Sequence, residues 1–97
     1  MIIISKSVLN QFIDKYPTSA EPVLRWYLKT KESDWKAFAD IKKVFPATDA
    51  VGDDLYVFNV GGNKYRIIAR IFFSVRTVYV RFIGTHAQYD KVVLSDL

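Results

Sequence analysis

Near the C-terminal end of the chain, His86, Tyr89 and Lys91 stand close together, and each can carry a proton in catalysis. His86 is the only histidine, and histidine has the unperturbed pKa nearest neutrality. Upstream lie Lys64, Arg66, Arg70 and Arg81. Arginine side chains stabilise the extra charge that builds on a pentacoordinate phosphorane. A proton-transfer group beside arginines supplies the ingredients of metal-independent RNA cleavage, in which the 2′-OH is the nucleophile. A lone histidine is more often a surface hydrogen-bonding residue. Its place at the end of the strand that carries Arg81 favours the chemical reading here.

Other chemistries are poorly supplied. With no cysteine there is no thiol nucleophile, disulfide or Cys-zinc site, and a single histidine excludes multi-histidine metal sites. Gly61-Gly62 is too short to cradle phosphates and has no Lys-Ser/Thr ending. No carboxylate cluster accompanies the cations, as a two-metal nuclease would need. The expectation is an enzyme without metal or cofactor.

The charge distribution points the same way. The 97 residues carry a net charge of +4. Residues 1–54 balance: Lys6, Lys15, Arg25, Lys29, Lys31, Lys36, Lys42 and Lys43 meet an equal number of acids. Between Leu55 and Tyr89 there are five basic residues and no acid. A surface built from that segment would face a polyanion. The competing reading is a set of edge-strand cations that resist aggregation.

The elements that must position these residues can be read from periodicity. Ile2 to Ile4 predicts an edge strand. A helix follows, capped by Ser5 or Ser7, with Val8, Leu9, Phe12, Ile13 and Tyr16 as its apolar stripe and Pro17 as its stop. Thr18 and Glu21 have capping-box spacing for a second helix, whose apolar face would be Val23, Leu24, Tyr27 and Leu28. Ser33 to Lys36 reads as a loop, Ala39 to Phe45 as a short third helix, and Ala47 to Asp54 as a polar connection. The period then changes. Leu55–Val60, Lys64–Phe73 and Val78–Ile83 form a β-meander, with Gly61-Gly62-Asn63 and Ser74–Thr77 as turns. A turn or one-turn helix follows Gly84, and Val92 to Leu94 could add a last strand.

Parity sorts the meander. Tyr65, Ile67, Ala69, Ile71 and Phe73 share a nonpolar face, to be paired with Val78, Val80 and Phe82 under the helices. The opposite face carries Lys64, Arg66, Arg70, Arg81 and Tyr79, with Ile68, Phe72 and Ile83 between them. Cations interleaved with aromatics suit RNA: Arg70 would meet phosphate and Tyr79 could stack on an unpaired base.

Several stretches resemble the HigB family of type II toxin–antitoxin toxins. They are Asp34-Trp35-Lys36, Ala39 to Lys42, Val57 to Arg66, and above all Tyr79 to Lys91 with its RFIGTHAQYDK run. The resemblance implies one toxin domain over residues 1–97 with the RelE/ParE-like α+β fold. In that fold two N-terminal helices, here with a short third, pack on a mainly antiparallel β-sheet. It implies an mRNA interferase acting on mRNA at the ribosome; the expectation of a cytoplasmic protein with no membrane association comes instead from the short N-terminal apolar run and the lack of any membrane-length apolar stretch. The resemblance also implies a HigA-type helix-turn-helix antitoxin, operator DNA being bound only through the toxin–antitoxin complex. By position, Lys64, Arg66, Arg81, His86, Tyr89 and Lys91 become the catalytic candidates. Lys36 matches the family pattern on the substrate side, and Asp90 is placed to orient Arg81 or His86. Three rivals remain: a ParE-like gyrase poison, a non-catalytic RNA-binding module, and a protein whose basic face only docks an acidic partner.

Overall fold

The computed structural model describes residues 1–97. It consists of β1 (Ile2–Ile4), α1 (Lys6–Lys15), α2 (Ala20–Glu32), α3 (Phe38–Val44), β2 (Thr48–Gly52), β3 (Leu55–Val60), β4 (Tyr65–Phe72), β5 (Thr77–Thr85) and α4 (His86–Tyr89). Short 3₁₀ turns occupy Pro17–Ser19, Phe73–Val75 and Leu94–Asp96. The five strands make one sheet in the order β1-β5-β4-β3-β2. Every neighbouring pair is antiparallel except β1–β5, which is parallel. This is the expected α+β architecture, with α1, α2 and α3 packed on a mainly antiparallel sheet. No helix is long and apolar enough to cross a membrane.

Local chemistry accounts for the element ends. The Ser5 side chain accepts from the backbone N–H of Ser7 and caps α1. Pro17 opens the 3₁₀ turn that separates α1 from α2. The spacing of Thr18 and Glu21 does not produce a capping box. The N-cap of α2 is Ser19, with no side-chain cap bond, and the Thr18 hydroxyl instead pairs with the Tyr65 hydroxyl at 2.9 Å. The buried face of α2 is also rotated from the expected one. Val23, Trp26 and Thr30 are buried, while Leu24 and Leu28 are exposed. Trp26 decides the phase, because its ring removes more apolar area from water than either leucine could.

The polar connection expected over Ala47–Asp54 contains β2, an edge strand paired from Thr48↔Phe58 to Gly52↔Leu55. Asp49, Ala50 and Gly52 have weak strand propensity, and the pairing with β3 holds them. The hairpin closes through Gly52, Asp53 and Asp54, all at positive φ, a backbone that Gly and Asp tolerate better than most residues. Gly61, Gly62 and Asn63 likewise sit at φ between 61° and 70°, forming the expected β3–β4 turn.

The main core lies between the helices and one sheet face. Leu9, Phe12, Val23, Trp26, Trp35, Ile41, Phe58, Ile67, Ala69, Ile71 and Val78 are among its members. Trp35 comes from the loop between α2 and α3, yet it is only 2% exposed and stacks on Phe58 with ring centroids 6.2 Å apart.

On the other sheet face two expectations need correction. The register between β4 and β5 shifts at Arg81: Ile68 pairs with Phe82, but Ala69 pairs with Val80. This bulge reverses the parity beyond it. Phe82 therefore packs on the face opposite the helices, and Ile83 packs against the main core. That opposite face is also not fully open. Leu55, Val57 and Ile68 form a second small core, covered by Val51, Phe82, Tyr89, Val92, Leu94 and Leu97. Residues 92–94 add no strand; the chain turns through Leu94–Asp96 as a lid on that cluster.

Candidate active site

The site is built where β5 ends and α4 begins. Thr85 is the N-cap of α4 and forms a reciprocal capping box with Gln88. The Gln88 N–H donates to Thr85 Oγ1 at 3.2 Å, and the Thr85 N–H donates to Gln88 Oε1 at 2.8 Å. The box places His86 in the first turn, where its own N–H donates to the Lys64 carbonyl at 3.1 Å. The Gln88 amide also donates to the Tyr16 hydroxyl at 3.1 Å, tying α4 to the end of α1. A four-residue helix has little stability alone. These contacts with β4, β5 and α1 hold it.

Arg66 lies on β4, opposite Gly84 of β5. Its Nη2 donates to His86 Nδ1 at 2.9 Å, and its Nη1 donates to the Asn63 carbonyl at 3.0 Å. The guanidinium carbon is 5.7 Å from the centre of the Tyr89 ring, within cation–π range. Asp90 Oδ2 stands 3.5 Å from His86 Nε2. Arg66, His86, Tyr89 and Asp90 thus form one contiguous group, with the His86 and Asp90 side chains more than half exposed.

The other candidates lie around or away from this group. Lys64 precedes β4 beside the His86 N–H anchor, and Lys91 follows α4; both are exposed. Arg81, the extra residue of the β5 bulge, is exposed and further along the strand. Arg70 lies at the far end of β4 and is committed elsewhere. It pairs with Asp53 at 2.7 Å and donates to the Leu97 carbonyl at 3.0 Å. Tyr79 pairs in register with Arg70, and its ring meets Phe72 edge-on at 5.9 Å. The structure does not bring Arg70 and Tyr79 to His86. Lys36 sits in the loop between α2 and α3, where its backbone N–H donates to Asp40 at 2.9 Å.

Two residues that hold the site, Gln88 and Tyr16, lie outside the candidates read from the sequence. Thr85-His-Ala-Gln88 carries the capping-box spacing, so Gln88 could have been found from it. The Tyr16–Gln88 contact spans most of the chain and leaves no local trace. No group of three or more His, Asp or Glu side chains gathers anywhere in the structure. The arrangement offers a proton acceptor on His86 and a guanidinium beside it, with the exposed Lys64 and Lys91 adjoining it along the chain. It suits attack on a phosphodiester.

Residues 19–92 match the model of a family described as HigB_toxin, the RelE-like toxic component of a toxin–antitoxin system. The chain is 36% identical over 94 residues to the mRNA interferase HigB of Escherichia coli O6:H1, covering 95% of this chain and 91% of that protein. It is 34% identical over 99 residues to the mRNA interferase toxin HigB of Escherichia coli K12, covering 93% and 88% respectively. A fold of helices on a five-stranded sheet, a family match over most of the chain and these two relatives agree: the chain belongs to the HigB toxin family.

Proposed function

We propose that this chain is an mRNA interferase, the toxin of a type II toxin–antitoxin module, cutting mRNA on the ribosome by metal-independent chemistry. The convergence of Arg66, His86 and Tyr89 at one end of the sheet, with His86 Nδ1 held 2.9 Å from the Arg66 guanidinium, carries the reading. Both relatives bear the name mRNA interferase.

In the proposed reaction His86 takes the 2′-OH proton. O2′ then bonds to phosphorus and the P–O5′ bond breaks. O5′ leaves with a proton from Tyr89 or Lys91. Lys64, Arg66 and Arg81 bind the phosphate and stabilise the charge that builds on it. The products are a 2′,3′-cyclic phosphate and a 5′-OH. Lys36 and Tyr79 would meet RNA beyond the reacting centre, while Arg70, paired with Asp53 and the Leu97 carbonyl, would hold the sheet face beside them. The inhibiting partner would be a HigA-type helix-turn-helix antitoxin, with operator DNA reached only through that complex. The setting would be the cytoplasm.

The test is expression in a reconstituted translation system with mapping of mRNA ends. Ribosome-dependent cuts are expected from the wild type, with cutting lowered by about 10²-fold or more in His86→Ala. Intact mRNA with undiminished translation would sink the proposal. Broken DNA in place of cut mRNA would move the assignment to a gyrase poison.

A further inference from the structure

The contacts of His86 decide which of its ring nitrogens can act. A guanidinium only donates hydrogen bonds. Arg66 Nη2 lies 2.9 Å from His86 Nδ1, so Nδ1 must present its lone pair. In the neutral ring the proton then sits on Nε2, the atom that faces Asp90 Oδ2 at 3.5 Å. A carboxylate at that distance favours a proton on Nε2 and cannot supply one. The two neighbours impose the same tautomer from opposite sides of the ring. Asp90 is four residues beyond His86, one turn along, so the capping box that seats His86 also sets Asp90 against Nε2. The Asp90 N–H donates to the His86 carbonyl at 3.1 Å and fixes that turn.

We propose that Asp90 is a positioning residue that holds His86 as the Nε2–H tautomer, and that Nδ1 is the atom that takes the 2′-OH proton. The proposal rests on His86 being the base of the cleavage reaction. Arg66 covers Nδ1 in the resting protein. A 2′-OH reaches that nitrogen only when the guanidinium turns away, and the scissile phosphate is the group that would draw it. Proton acceptor and phosphate ligand are thereby delivered together. Asp90 gains charge complementarity with the imidazolium that forms, as the carboxylate of a hydrolase triad does.

The test uses the single histidine. Two-bond ¹H–¹⁵N spectra of the uniformly ¹⁵N-labelled full chain contain one imidazole. The expected spectrum of the neutral ring is that of the Nε2–H form. Asp90→Asn can turn an amide N–H to Nε2 and, whenever Arg66 leaves Nδ1, should admit the Nδ1–H form, which blocks the basic atom. In the ribosomal cleavage assay Asp90→Asn should lower kcat about tenfold or more with KM unchanged, and Asp90→Glu should recover part of it. The loss should be smaller than the ~10⁴ of a buried triad carboxylate, because Asp90 is largely exposed. A wild-type ring in the Nδ1–H form overturns the proposal. So does an Asp90→Asn protein with wild-type spectrum and kcat. Undiminished cleavage by folded His86→Ala overturns the underlying assignment of the base instead, and leaves the spectra to stand or fall by themselves.

Discussion

Among the cations of the second half of the chain, burial and pairing separate those held by the fold from those free for a ligand. Arg70 is tied to Asp53, and Arg76 to Asp34 and the Phe73 carbonyl. Arg81 is exposed on its bulge. Arg81→Ala should therefore lower cleavage by about 10²-fold with little change in stability, whereas Arg70→Ala should act mainly on stability. Urea unfolding and the cleavage assay, run on both proteins, separate the two. The hydrogen bond from Arg76 is the main cause that holds the Asp34 carboxyl below its ordinary value of 3.8. A carboxylate with a lowered folded-state pKa stabilises the fold above its unfolded value and loses that contribution as pH falls through the folded one. The gap in urea midpoint between wild type and Asp34→Asn should be present at neutral pH and close as pH drops below 3.8. Thr30 works the other way. Its hydroxyl is fully buried with no partner in the protein. Thr30→Val removes an unpaired polar group with little change of shape and should raise stability by about 1 kcal/mol.

At the scale of elements, the site depends on the start of α4. Gly84 is buried just before the capping box. A Cβ there would stand 2.5 Å from Phe82 Cζ and 2.8 Å from Gln88 Oε1. Gly84→Ala should therefore displace Gln88, loosen the turn that seats His86, and lower cleavage while the far-ultraviolet spectrum stays close to wild type. The expectation fails if that variant cleaves at the wild-type rate. The meander, its turns, the short helix after Gly84 and the apolar face of β4 were legible because each follows from local alternation and turn residues. The elements misread were settled by distant partners. β2 exists because β3 pairs with it, and the phase of α2 follows the room found by Trp26 against Phe58, 5.2 Å between ring centroids. The bulge at Arg81 has no signature in its own residues. It put Phe82 and Ile83 on the faces opposite to those that alternation gives. Of the site, the residue types were legible, but the pairing of Arg66 with His86 brings β4 to the end of β5 and had to be seen in space.

Over the whole molecule, two cores share one sheet, and the smaller depends on the last residues. Val92, Leu94 and Leu97 cover Leu55, Val57 and Ile68, and the Leu97 carbonyl accepts from Arg70. Ending the chain after Lys91 should expose this cluster and lower stability by about 2–4 kcal/mol, measured by urea unfolding. His86, Tyr89 and Asp90 would all remain. The parallel pairing of β1 with β5 has another consequence, one of timing. Ile3 lies against Val78, so the first strand synthesised finds its neighbour only when β5 has emerged. Contacts of such long separation form late in folding. Until β5 has been made the sheet cannot close, and the strand end that seats His86 does not exist. A nascent chain arrested after Val60 should be digested by protease throughout, while the released protein resists.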